Sequence, residues 1–151
     1  MPLPALVAAA AVLLAGCGGS GRMSKADYEA KVQSDGKAVQ KEVAKLNTFT
    51  SMSELGQHIG GAEQAVKAAA DDLDKIKPPK DAEADNHTIV LALRTIDAQL
   101  VRLEAAAKKG DIAGAQAAGA AIQKAPEIKA AQRAAADLKK KGYKIGVLGQ
   151  T

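Results

Sequence analysis

Few residues in this chain have side chains suited to chemistry: one cysteine, Cys17, two histidines, His58 and His87, and an acidic group formed by Asp71, Asp72, Asp74, Asp81, Glu83 and Asp85. Glu83 and His87 are four residues apart, so on a helix they share a face and offer two metal ligands. A stable site usually needs three or four, and a single histidine beside an apolar seam reads more simply as a boundary residue, as does His58. The expectation is no bound metal. Carboxylates work as acids and bases when burial or mutual repulsion displaces their pKa values. These six bracket a predicted turn between helices, which reads as a solvated end of the fold, with Asp81 and Glu83 serving capping and the helix dipole. Asn86-His87-Thr88 matches a glycosylation sequon by letter but falls on a predicted helix. The chain holds no nucleophile elbow, phosphate-cradling glycine loop or paired-cysteine motif, and Gly114 and Gly119 sit inside an alanine-rich helix rather than between a strand and a helix. The reading is a protein without catalysis or cofactor.

The elements that position these residues follow from composition. Alanine makes up about a fifth of the chain after residue 16, and the aromatics are Tyr28, Phe49 and Tyr143 with no tryptophan, a balance that favours helix over strand. The chain has 151 residues, enough for one core. Its net charge of +4 arises from 21 basic and 17 acidic residues, interspersed as on a solvated helix surface. A nucleic-acid binder clusters its cations and interleaves aromatics for stacking, so no nucleic-acid partner is expected.

Residues Leu3 to Ala15 are apolar apart from Pro4. As a helix that stretch spans about 20 Å, short of the roughly 30 Å hydrocarbon core, and it fits the h-region of a signal peptide. It runs into Leu14-Ala15-Gly16-Cys17 and then Gly18-Gly19-Ser20-Gly21. This tetrapeptide resembles the lipobox of bacterial lipoproteins. The resemblance implies a diacylglycerol thioether on Cys17 and cleavage between Gly16 and Cys17. It also implies an extracytoplasmic, lipid-anchored location at the cell membrane. Residues 1–16 are then the signal peptide, 17–23 the lipidated cysteine and a glycine-rich flexible tether, and 24–151 the folded domain. The n-region Met1-Pro2 lacks the usual Lys or Arg, and Gly18 is not the Asp that marks inner-membrane retention. As the single cysteine, Cys17 has no partner for a disulfide within the molecule.

From Ser24 onward the helix signals recur. Ser24-Lys25-Ala26-Asp27 and Ser51-Met52-Ser53-Glu54 read as capping boxes. A first helix over about 25–46 carries Tyr28, Val32, Val39, Val43 and Leu46, with Gly36 in the same stripe. A second, over about 52–77, carries Leu55, Ile59, Ala62, Val66, Ala69, Leu73 and Ile76 in alternating steps of four and three, and Pro78-Pro79 stops it. A third, over about 81–109, opens at Asp81 and repeats the seam through Ile89, Leu93, Ile96, Leu100, Leu103 and Ala107, widened by Val90 and Val101. Lys108-Lys109-Gly110 ends it. Asp111 caps a fourth, whose thin inward face is Ile112, Ala115, Gly119 and Ile122. At Pro126 the phase slips, predicting a kink or break near 124–127 before Ile128, Ala131, Ala135 and Leu138 resume on a shifted stripe. Lys139-Lys140-Lys141-Gly142 is the next stop, and 143–151 reads as an extended or irregular tail. Short connections imply an all-α, antiparallel up-down four-helix bundle.

Taken whole, the chain is similar to a group of small lipoproteins and secreted proteins from high-GC, actinobacterial-type bacteria. The likeness is carried by Ser24-Lys25-Ala26-Asp27-Tyr28, Pro78-Pro79, the third helix ending before Gly110-Asp111, and Gly142-Tyr143. It implies an architecture and assigns no activity. Such proteins often carry one cysteine in the first helix and another near the carboxyl terminus, positions that align with Gly36 and Gly146. The likeness therefore implies a lost disulfide there, although Gly36 reads equally as a surface irregularity. The functional expectation is a membrane-tethered, non-catalytic interaction module that engages an envelope protein or the cell wall. The alternative is a small-ligand-binding lipoprotein with a pocket between helices.

Overall fold

The computed structural model describes residues 21–48 and 50–146. The signal segment, the lipobox Leu14-Ala15-Gly16-Cys17 and the last five residues lie outside them. The described chain folds as helices α1 (Lys25–Lys45), α2 (Met52–Lys75), α3 (Glu83–Lys109), α4 (Ile112–Lys124) and α5 (Pro126–Lys140), with one 3-10 turn at Lys80–Ala82 before α3. α3 is the central rod, packed against α2, α4 and α5, while α1 packs on α2. At 1.5 Å per residue the 27 residues of α3 span about 40 Å. The 13 residues of α4 and 15 of α5 return along that same length as one broken arm. The architecture is the up-down four-helix bundle that the seams predict.

Each helix boundary has a local cause. Ser24 and Ser51 accept hydrogen bonds from the amides of Asp27 and Glu54, both at 3.1 Å, satisfying donors that the first turn leaves orphaned. The Glu54 carboxylate reaches back to Thr50 N at 2.8 Å instead of to Ser51. Asp111 caps α4 through Gly114 N at 2.9 Å. α3 and α5 end in the same way. Gly110 (φ 67°) and Gly142 (φ 79°) turn left-handed, and the amides of Asp111 and Tyr143 bond back to the carbonyls of Ala106 and Leu138, each at 2.9 Å. The break in the fourth arm is Ala125, held extended at ψ 125° by the ring of Pro126, which then serves as the first residue of α5.

The core follows the seams of α2 and α3. Ile59, Ala62, Val66, Ala69 and Leu73 face Ile89, Val90, Leu93, Leu100 and Ala107, joined by Tyr28, Val32 and Leu138. Several expectations change. Val43 is 39% exposed, on a helix that packs chiefly on α2, and Val101 is 46% exposed. Ile112 is 67% exposed, being the first residue of α4 beyond the end of α3. Ala118 takes the buried place expected of Gly119. Asp81 does not cap α3, since the 3-10 turn intervenes and its carboxylate is used elsewhere. Arg22 and Met23, assigned to the tether by composition, belong to the folded domain. Met23 N donates to Lys77 O at 2.8 Å, Arg22 donates to Pro78 O at 3.0 Å, and Met23 packs on the core.

Candidate functional site

The residues proposed for lipidation and cleavage, Cys17 and Gly16, lie outside the described region, which begins at Gly21. The other sequence candidates disperse. His58 lies beside α1, its Nδ1 2.9 Å from Lys45 O and its Nε2 4.0 Å from Glu54. His87 is exposed on α3. Among the described residues no group of three or more potential ligands is close enough to hold a metal ion.

Most of the acidic group is at least partly solvent-exposed, as the sequence implies, with Asp85 alone of the six buried. Each of its members is engaged with a partner from another segment. Asp72 is bonded to Lys31 on α1, and Asp71 and Asp74 lie 3.2 and 2.9 Å from Arg94 on α3. Glu83 meets Arg22 at 3.0 Å. Asp85, buried at the start of α3, meets Lys141 at 2.7 Å, and Asp81 accepts the Tyr143 hydroxyl at 2.6 Å. The hydrogen bond donated by Lys31, and then its charge, holds Asp72 below the usual carboxylate range, and Lys141 does the same for Asp137. Asp35 is pushed the other way by burial, although Lys31 opposes the shift.

The carboxyl-terminal segment closes this end of the bundle. Tyr143 and Ile145 are buried and Lys144 is exposed, the alternation of an extended strand-like stretch. It lies along α1. Lys25 Nζ donates to Lys141 O at 3.0 Å, Lys144 N donates to Glu29 at 2.9 Å, and Gln33 donates to Lys144 O. Tyr28 and Tyr143 meet edge to face with centroids 5.8 Å apart, and the Lys25 ammonium stands 4.5 Å from the Tyr143 ring centre. Burial pushes the Tyr143 phenol up to about 12, assisted by its bond to Asp81, and raises Tyr28 further, assisted by the field of Asp85. Beneath the rings Asn86 is buried, accepting from the Tyr28 hydroxyl at 3.2 Å and donating to Leu73 O at 2.9 Å. The sequence reading missed Asn86 as a structural residue. Its one signal is position, a polar side chain three residues before Ile89 on the same face.

No protein-family model, curated protein or solved structure matches the chain.

Two clefts open at the opposite end. One, of about 400 Å³, runs between α3 and α4 over Ala106, Gly114, Ala118 and Ala121, with Gln99, Arg102, Lys109 and Asp111 at its edges. The other, of about 710 Å³, lies between the start of α2 and the end of α3, bordered by Ser53, Gln57, Glu104 and Lys108. Gly114 shapes the first. A Cβ there would collide with the Asp111 carboxylate and stand 3.3 Å from Ala106 Cβ, so glycine permits both the cap and the close approach of α4 to α3. Both clefts are lined by small or flexible side chains. None brings a nucleophile and a base together.

Proposed function

We propose that this protein is a bacterial lipoprotein, cut between Gly16 and Cys17, lipidated on Cys17 and held at the extracytoplasmic face of the cell membrane. Its helical domain serves there as a non-catalytic interaction module for an envelope protein or the cell wall. The observation that carries the reading is Leu14-Ala15-Gly16-Cys17 at the end of an apolar run too short to span a bilayer. Only a thiol forms the required thioether, and the chain has one cysteine. Two or more acyl chains on that residue anchor a protein stably where one anchors it only reversibly. Among the described residues no helix is long and apolar enough to cross a membrane.

The most strongly engaged ionisable groups at the anchor end hold the domain's own segments together, which supports a non-catalytic reading. Lys31, Lys141, Tyr28 and Tyr143 each join one segment to another, as the geometry above describes. No catalytic residue, metal, cofactor or nucleic acid enters this role. A second reading, small-ligand binding, is supported by the cleft between α3 and α4, where an alanine floor meets Gln99, Arg102, Lys109 and Asp111. The open shape of that cleft favours a partner's surface over an enclosed small molecule.

Native mass spectrometry of protein released gently from its own membranes tests both. A denatured mass corresponding to a chain that starts at an acylated Cys17 supports the anchor. A chain beginning at Met1, or cut elsewhere without lipid, overturns it. A non-covalent adduct lost on denaturation moves ligand binding ahead of the interaction module.

A further inference from the structure

We infer that the end of the bundle nearest the anchor docks on the anionic headgroups of the membrane that holds it, an inference that rests on the lipoprotein reading. The point of entry is fixed by geometry. Arg22 and Met23 are bonded to Pro78 and Lys77 at the α2–α3 corner, so the chain joins the folded domain at this end. Five residue steps separate Cys17 from Arg22, at most about 18 Å fully extended. So short a tether lets this end approach within one Debye length of the headgroups, about 8 Å in physiological salt, where their field is not yet screened.

Among the described residues, four lysines there have no carboxylate partner. The carboxylates at this corner are held by other groups: Asp71 and Asp74 share Arg94, Asp85 and Asp137 share Lys141, Glu83 meets Arg22, and Asp81 accepts the Tyr143 hydroxyl. Lys77, Lys80, Lys139 and Lys140 are exposed and, among the described residues, form no salt bridge. Lys141 gathers them. Its ammonium bonds to Asp81 O at 2.8 Å and to Asp85 at 2.7 Å, which brings the end of α5, with Lys139 and Lys140, against the turn that carries Lys77 and Lys80. At the far end, Lys45 and Lys108 are matched by Glu42 and Glu104, while Arg102 and Lys109 stand at the edge of the α3–α4 cleft. A lysine close to an anionic surface strengthens attachment roughly fivefold, so four together orient a domain already tethered beside that surface. The clefts at the opposite end then face away from the membrane, towards the envelope.

The test uses mature lipidated protein in vesicles of phosphatidylcholine, alone or mixed with phosphatidylglycerol. An amine-reactive reagent that does not cross membranes labels the lysines, and peptide mass spectrometry reads each site. Docking predicts that labelling of Lys77, Lys80, Lys139 and Lys140 slows at least fivefold in the anionic vesicles and recovers in molar salt, while Lys45 and Lys109 label equally in both. Lys80→Glu with Lys139→Glu should abolish the difference, with helical content by circular dichroism unchanged. Equal labelling in both vesicles overturns the inference. So does protection by a soluble polyanion but not by anionic vesicles, which would assign the patch to an anionic polymer. The amino-terminal peptide of the same sample reports the lipid on Cys17. If that peptide is unmodified, the anchor reading has failed and the inference falls with it, whereas lipid with equal labelling refutes the docking alone.

Discussion

The Tyr28 hydroxyl donates to Asn86 Oδ1 at 3.2 Å, and the Asn86 amide donates onward to Leu73 O at 2.9 Å, so one buried side chain ties together α1, α2 and α3. Removing one partner leaves the other buried without a bond, at a cost of about 1–3 kcal/mol. Tyr28→Phe should therefore lower stability by that amount. Asn86→Leu should cost more, because it orphans both the phenol and a backbone carbonyl. The double variant should lose less than the sum, since the phenol and its acceptor leave together. Urea denaturation checks the order. Additive losses would mean that the two groups do not interact.

Tyr28 and Tyr143 are the only tyrosines in the chain, so their ionisation can be followed directly. Both are displaced above the ordinary phenol value near 10, Tyr143 to about 12 and Tyr28 beyond it, chiefly by burial. The folded state then favours the neutral phenols. Their contribution to stability is fully present below pH 10 and is lost as pH rises towards 12. Ultraviolet titration should show no tyrosinate step near pH 10, and one cooperative step at higher pH that coincides with loss of helix. Two phenols titrating near 10 with the helices intact would contradict the packing described.

Two glycines of α4 should respond in opposite directions. A Cβ on Gly119 meets nothing within 4 Å, so Gly119→Ala should stabilise by about 0.5–1 kcal/mol through reduced chain entropy. A Cβ on Gly114 would stand 2.9 Å from Asp111 Cγ and displace the cap. Gly114→Ala should fall below the parent protein, since loss of an N-cap costs about 1 kcal/mol and α4 must also draw back from Ala106. Thermal melts of the two variants check the signs.

The run of the tail beside α1 bears on the implied disulfide. Lys144 is bonded to Glu29 and Gln33, and two further residues advance at most about 7 Å, roughly one helical turn along α1. That brings Gly146 level with the turn containing buried Gly36. In a Cys17→Ser background, Gly36→Cys with Gly146→Cys should oxidise within one chain and raise the melting temperature, read by thiol titration after denaturation. Two free thiols after oxidation would place the pair beyond the roughly 7 Å between Cα atoms that a bridge tolerates.

Much of the fold was legible because its signals are local. The four-three seam of α2 and α3, the serine caps, the glycine stops at Gly110 and Gly142 and the break before Pro126 each act within one turn of chain, and each appears where its residues dictate. The errors fall where a side chain's environment depends on a neighbour distant in sequence. Ile112 and Val101 are apolar at helical spacing, yet among the described residues no helix buries them. Ala118 is buried because α4 approaches α3 closely at Gly114.

The sequence by itself determined the helices and their ends, since propensity and capping require no partner from elsewhere in the chain. The tertiary structure alone decided the fate of the charges. The acidic cluster reads as solvent-facing in one dimension. It becomes a set of closing contacts once Arg22, Lys31, Arg94, Lys141 and Tyr143 arrive from 20 to 62 residues away. Helix periodicity records which face is apolar. It carries no record of which cation ends beside which carboxylate, because that pairing is made only when the helices and the tail close on one another.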